Sequence, residues 1–181
     1  MKRAVFLDRD GTINVDKRYL SDPEQLELIP GVGPALMRLQ DAGFLLVIVT
    51  NQSGIGRGYY TEENMHAVNR RMITLLAPIG VRFTKIYYSP EAPESPSVGR
   101  KPSPAFLFAA RDDLNVDLAR SFMVGDKRID LECGWNAGVQ QSLLVRTGYG
   151  AEVEGTLGDK SKDAVVVDDL PAAADWILKQ A

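Results

Sequence analysis

With 45% hydrophobic and 25% charged residues, a chain of 181 residues has the make-up of one globular domain spanning 1–181, and its net charge of −3 excludes broad electrostatic attraction to nucleic acid or to an anionic membrane. A single cysteine, Cys133, excludes an intramolecular disulfide; with the single histidine, His66, it cannot build a zinc site of the usual Cys/His kind, and any Ser-His-Asp or Cys-His mechanism depends on His66 alone. The apolar run after Met1-Lys2-Arg3 stops at Asp8, too short for a signal peptide or a membrane span, and no other stretch would cross a bilayer, so a cytoplasmic location is expected.

Arg3 to Leu7 reads as a short buried strand that ends at a charged loop. Gly31 to Ala42 reads as a helix, with Val32, Leu36 and Leu39 at helical spacing and Gly43 as its stop. Phe44 to Val49 is a continuous apolar, β-branched run, as expected of a strand covered on both faces. Thr61 caps a further helix whose buried face takes Met65, Val68, Met72 and Leu75. Lys85 to Tyr88 reads as a strand, followed by a proline-rich loop from Ser89 to Pro102. Ser103 as cap and Pro104 in the first turn open a helix to about Leu114. Phe122 to Val124 reads as a strand, Arg128 to Ala137 as a helix stopped by Gly138, and Ser142 to Val145 and Ala164 to Val167 as two more strands. Between those last two, the polar, glycine-rich stretch Thr147 to Asp163 reads as a mobile loop. Asp168 or Asp169 opens a final helix that packs Leu170, Trp176 and Ile177. Strands alternating with amphipathic helices predict an α/β fold with a doubly wound, mainly parallel sheet and helices on both faces.

Ligands of such sheets bind at the carboxyl ends of the strands, and the polar signatures stand there. The first strand runs into Asp8-Arg9-Asp10-Gly11-Thr12, the second into Thr50-Asn51-Gln52-Ser53-Gly54, and the fourth into Gly125-Asp126-Lys127 with Asp130 one turn on; Lys101 lies in the loop after the third. Each has a plain structural reading alone: Asp-Gly is a common turn pair, Asn51 and Ser53 can cap a helix, and most lysines are solvated. Together, in this order, they resemble the haloacid dehalogenase (HAD) superfamily of phosphotransferases. The motifs are FLDRDGT, VTN, the lysine of GRKP and MVGDKRID, and the match spans Phe6 to Val145. The narrower strings DRDGTIN, TNQSGIGRG, RKP, GDK and LVRTG resemble the branch acting on heptose 1,7-bisphosphate and histidinol phosphate, the former being nearer.

The resemblance implies a Rossmann-like, Mg²⁺-dependent phosphatase working through an aspartyl-phosphate. Asp8 is its expected nucleophile and Asp10 its general acid and base. Asp8 and Asp126 side chains with the Asp10 backbone carbonyl are the expected Mg²⁺ ligands. Thr50, the Asn51 amide and Lys101 are expected to stabilise the transferring phosphoryl group, with Asp130 orienting Lys101 or a metal-bound water. The gaps from Asp10 to Thr50 and from Thr50 to Lys101 leave no room for a cap domain, so loops should select the substrate. The expected binding residues are Arg9, Asp16, Tyr19, Asn51, Gln52, Ser53, Arg57, Arg100 and Lys127. Arg100 is the expected contact for the phosphate that stays on the sugar, since a guanidinium binds two phosphate oxygens at once. The chain departs from the branch in one place. The loop before RKP usually carries a zinc site of cysteines and a histidine, and here it reads SPEAPESPSVG, so no structural zinc is expected and prolines are expected to stiffen it.

The leading expectation is removal of the 7-phosphate from a heptose 1,7-bisphosphate, on the route to lipopolysaccharide or related glycans, by a monomer acting on a small sugar without nucleic-acid or membrane partners. A histidinol-phosphate phosphatase would want acidic groups at the mouth, where Arg100 favours an anion. A polynucleotide 3′-phosphatase would need a basic track, against which Glu91 and Glu94 stand. A non-catalytic binding domain on the same fold has no use for Asp8, Asp10, Lys101 and Asp126 together. His66 reads as a surface or packing residue, Cys133 as a small buried apolar one, and Trp135 and Trp176 as core or interface.

Overall fold

In the computed structural model, which describes residues 1–158 and 163–180, six strands form one sheet: β1 (Arg3–Leu7), β2 (Phe44–Asn51), β3 (Lys85–Ser89), β4 (Phe122–Gly125), β5 (Gln141–Val145) and β6 (Ala164–Val167). Their order is β3-β2-β1-β4-β5-β6, and every pairing is parallel rather than mainly so. The direction of winding reverses between β1 and β4. Their carboxyl ends therefore open the crevice where such sheets bind ligands, and Asp8 and Asp126 follow directly on those two strands.

The helices are α1 (Val32–Asp41), α2 (Ser53–Gly56), α3 (Glu62–Leu76), α4 (Ala105–Leu114), α5 (Arg128–Ala137), α6 (Gly150–Glu154) and α7 (Leu170–Leu178). The unbroken apolar runs of β1 and β2 are explained by burial on both faces. Val5 and Leu7 join Leu46 and Ile48 in a core covered by α1, α7 and the end of α3, while Ala4 and Phe6 join Val47 and Val49 in a second core under α4 and α5. Successive residues of one strand thus anchor opposite layers. Cys133 lies in the second core, and burial pushes its thiol up to about 12, so it is a packing residue and not a reactive one.

Several boundaries differ from the sequence reading. The buried stripe of α3 is Met65, Val68, Asn69, Met72 and Leu76; Leu75 lies a step of one residue, about 100°, off it. α4 begins at Ala105 with Pro104 in the cap position, and Ser103 Oγ accepts from the Ala105 N–H at 3.3 Å. Asp169, not Asp168, caps α7, accepting from Ala172. The stretch expected to be a mobile loop from Thr147 to Asp163 contains α6 and the buried Leu157, held against Leu131 and Leu144; its residues 159–162 lie outside the described residues. The turn α2 went unread, because four residues carry no periodicity. Neither the segment from Asp8 to α1 nor the loop from β3 to α4 carries a further sheet or bundle.

Candidate active site

β1 delivers Asp8 to a cavity of about 460 Å³ at the carboxyl edge of the sheet. The Asp8 N–H donates to the Val124 carbonyl at 2.9 Å, tying the start of the loop to β4. Its carboxylate is asymmetric. Oδ1 accepts from the Arg9 N–H at 2.8 Å and lies 2.9 Å from Lys101 Nζ, while no hydrogen bond among the described residues engages Oδ2. One oxygen is fixed and the other faces the cavity.

Lys101 is buried among the groups that fix it. Its ammonium donates to the Val49 carbonyl at 2.7 Å and sits 2.9 Å from Asp8 Oδ1 and 2.6 Å from Asp130 Oδ1. Burial works against its charge, but Asp130 and Asp8 outweigh that and hold its pKa above the usual lysine value. One hydrogen bond and two ion-pair contacts from the protein thus surround its ammonium. Asp130 is equally engaged, its Oδ2 accepting from the Lys127 N–H at 2.9 Å.

Asp126 is different. Oδ2 accepts from the Tyr149 N–H at 2.9 Å, but buried Oδ1 has no hydrogen-bond partner, its nearest cation being Lys127 Nζ at 3.5 Å. Burial, and then the charge of Asp8, push the Asp126 carboxyl up to about 7. Gly11 (φ +84°) and Gly148 (φ +58°) flank this carboxylate, and a side chain on either would overlap it. Carboxylate oxygens of Asp8, Asp126 and Asp130 lie within 4.8 Å of one another. Asp130 Oδ1 makes no hydrogen bond but lies 2.6 Å from Lys101 Nζ, whereas Asp126 Oδ1 has no cation nearer than 3.5 Å, Asp8 Oδ2 has no partner, and the Asp10 carbonyl makes no hydrogen bond among the described residues. That all-oxygen set fits a hard divalent cation.

Asp10 sits past the strand on a turn set by Gly11. Its Oδ1 accepts from Asn14 Nδ2 (2.9 Å), and Oδ2 accepts from Arg9 Nε (3.2 Å), Arg9 Nη2 (2.9 Å) and Gln52 Nε2 (3.1 Å). Burial alone would raise its pKa, yet the charge of Arg9 and these hydrogen bonds hold it below the usual carboxylate value. Gln52 bridges onward, donating to Thr50 Oγ1 at 2.9 Å and accepting from Tyr60 at 2.6 Å. Thr50 thereby uses a lone pair on Gln52 and keeps its hydroxyl proton for the cavity it lines.

The cavity brings together Asp8, Asp10, Thr50, Lys101, Asp16, Tyr19, Asn51, Gln52, Ser53, Arg100 and Lys127. Two expected binding residues lie elsewhere. Arg9 is 0% exposed, and its guanidinium bonds Asp10, Gln52 and, at 2.9 Å, Asn69 of α3, so it positions Asp10 and does not reach a substrate. Arg57 pairs with Glu94 at 3.4 Å and does not line the cavity. The Asn51 side chain grips the Lys101 main chain at both its N–H and its carbonyl. Asp16 reaches across to Lys127 at 3.3 Å, joining the first loop to the end of β4. Asn14, Tyr60, Asn69 and Tyr149 were not singled out from the sequence. An asparagine inside the apolar stripe of α3 was the one visible signal among them. His66 stacks edge-on against Tyr88, and neither lines the cavity.

The family described as HAD-hydrolase-like matches residues 98–173, which carry the lysine and Gly-Asp motifs. A D-glycero-beta-D-manno-heptose-1,7-bisphosphate 7-phosphatase of Haemophilus ducreyi is 45% identical over 94% of this chain and 97% of that protein. The D-glycero-D-manno-heptose-1,7-bisphosphate 7-phosphatase of Thermosynechococcus vestitus is 41% identical over 96% of this chain and 94% of its own. Among solved structures, D,D-heptose 1,7-bisphosphate phosphatase from B. bronchiseptica, complexed with magnesium and phosphate, superposes with a TM-score of 0.92 at 32% identity, covering 99% of both chains.

Proposed function

Since the chain belongs to the D-glycero-D-manno-heptose 1,7-bisphosphate 7-phosphatase family of HAD-like hydrolases, we infer that it hydrolyses the 7-phosphate of that sugar bisphosphate, with Asp8 as nucleophile. The observation that carries the role of Asp8 is its half-pinned carboxylate. Lys101 and the Arg9 amide hold Oδ1, and Oδ2 is left to attack phosphorus. Attack forms an aspartyl-phosphate and releases the sugar alkoxide, which takes the proton of Asp10; Asp10 then removes a proton from the water that cleaves the acyl phosphate. The Thr50 hydroxyl and the Asn51 main chain receive phosphoryl oxygens, while Lys101 keeps Asp8 aligned. Asp8, Asp126 and the Asp10 carbonyl would hold Mg²⁺, which when bound offsets the repulsion between carboxylate and phosphate.

The doubly phosphorylated substrate is favoured by cations around the cavity. Arg18, Arg100 and Lys127 line it along with Lys101. Arg100 is in no ion pair among the described residues, its Nη1 donating only to the Glu91 carbonyl at 3.1 Å. A monomeric, cytoplasmic, zinc-free enzyme with a small sugar as its partner completes the proposal. No helix among the described residues is long and apolar enough to cross a membrane.

Purified protein assayed with Mg²⁺ against heptose 1,7-bisphosphate, histidinol phosphate and a 3′-phosphorylated oligonucleotide should prefer the first, and EDTA should stop it. Phosphate release that survives full chelation would sink the metal site, and preference for either other substrate would sink the sugar reading. One tightly bound zinc per chain on metal analysis would contradict the zinc-free loop.

A further inference from the structure

The loop from β3 to α4 reaches the cavity only at its far end, through Arg100 and Lys101. Lys101 is fixed from the sheet by Asn51. Arg100 is fixed from within the loop, and the centre of that arrangement is Glu91. One carboxylate oxygen of Glu91 accepts from Ser89 Oγ at 2.5 Å and from Ser97 Oγ at 2.9 Å. Ser97 Oγ in turn accepts from the Arg100 N–H at 3.1 Å, and Arg100 Nη1 donates to the Glu91 carbonyl at 3.1 Å. Glu91 thus joins the end of β3, the middle of the loop and the Arg100 guanidinium directly, and the Arg100 main chain through Ser97. Hydrogen bonds to an ionised acceptor are about twice as strong as neutral ones. They hold in place the Glu91 main chain, whose carbonyl accepts from the Arg100 guanidinium. The loop is seated as well, since the Gly56 N–H donates to the Pro90 carbonyl at 2.8 Å, and a side chain at Gly56 would collide with residues 90–92.

We propose that Glu91 is a positioning residue for substrate selection: its bonds to Ser89 and Ser97 aim the Arg100 guanidinium at the phosphate that stays on the sugar, so Glu91 sets the preference for a bisphosphate over a monophosphate. This rests on Arg100 being the anion-binding group, as read above. Glu91 itself does not line the cavity and touches no reacting atom.

Steady-state kinetics on heptose 1,7-bisphosphate and on the same sugar phosphorylated only at position 7 test it. Arg100→Ala should raise KM for the bisphosphate by about tenfold or more and for the monophosphate by less than about threefold. Glu91→Ala should raise the bisphosphate KM by about three- to tenfold while kcat falls less than about threefold, with Glu91→Gln, which keeps an acceptor oxygen, recovering most of the loss. In the double variant the bisphosphate KM should be no higher than in Arg100→Ala alone, because Glu91 acts through Arg100. Effects that multiply, a silent Glu91→Ala beside an active Arg100→Ala, or an equal kcat loss on both substrates would overturn the role of Glu91. An unchanged bisphosphate KM in Arg100→Ala would instead overturn the reading of Arg100. If a thermal melt shows Glu91→Ala unfolded, Ser97→Ala removes the hydroxyl between Glu91 and the Arg100 N–H and is judged by the same outcomes.

Discussion

Asp10 is bound by four hydrogen bonds from three side chains, and in the proposed mechanism these decide its proton transfers. With its pKa held low, it is ionised in the free protein at neutral pH and ready to act as a base. The acid role proposed for it requires a proton gained when a phosphate arrives, because an adjacent anion raises a carboxyl pKa. Arg9→Met removes the cation that favours the ionised form, so the Asp10 pKa should rise. The alkaline limb of the kcat/KM profile, set by loss of the proton that Asp10 gives to the leaving alkoxide, should then move to higher pH by about one to two units; a lowered rate with an unmoved limb would contradict the role given to Arg9. Lys101 answers to a different rule. Lys101→Met leaves Asp8 and Asp130 buried without their common cation, and chemical denaturation should show a loss of about 3–5 kcal/mol together with loss of turnover. A variant as stable as the parent would mean that the two carboxylates are neutralised some other way.

Between elements, the site depends on the loop after β5 closing over the loop after β1. Thr147 Oγ1 donates to the Gly11 carbonyl at 2.6 Å, and the Tyr149 N–H holds Asp126. Gly148→Ala places a side chain at φ +58° against that carboxylate. Mg²⁺ affinity measured by calorimetry should fall by about tenfold or more, against a null result of unchanged affinity. The strand ends carrying Asp8, Thr50 and Asp126 were legible in the sequence because a buried parallel strand is an apolar run and the first polar residues after it mark its carboxyl end. Arg9 was misread for a physical reason. It stands between two motif aspartates, and only the turn at Gly11 and the docking of α3 turn its side chain inward to Asn69. The Glu91–Ser97 contact was likewise invisible, since hydroxyl and carboxylate partners six residues apart in a loop follow no periodicity. Steps of three and of four residues after Met72 are both helical, and it is Leu76, four residues on, that reaches the core.

For the whole molecule, three carboxylates near one point make stability depend on pH and cation together. Asp126 is raised to about 7, and Asp130 is raised as well, chiefly by burial. Between about pH 4 and 7 the metal-free folded chain therefore holds protons that the unfolded chain has lost, so its stability should fall as pH rises through that window. The Tm should drop by roughly 5–10 °C from pH 5 to pH 8. Mg²⁺ replaces the proton, so the Tm gain on adding it should be larger at pH 8 than at pH 5; the reverse order in differential scanning calorimetry would contradict the cation site. The account as a whole stands on the free oxygen of Asp8. It is tested most directly by acid-quenching the enzyme during turnover of heptose 1,7-bisphosphate with Mg²⁺ and locating phosphate by peptide mass spectrometry. Phosphate on Asp8, forming before inorganic phosphate accumulates and absent from Asp8→Asn, is the predicted result; turnover with Asp8 unmodified at every time point, or with phosphate on another residue, would contradict it.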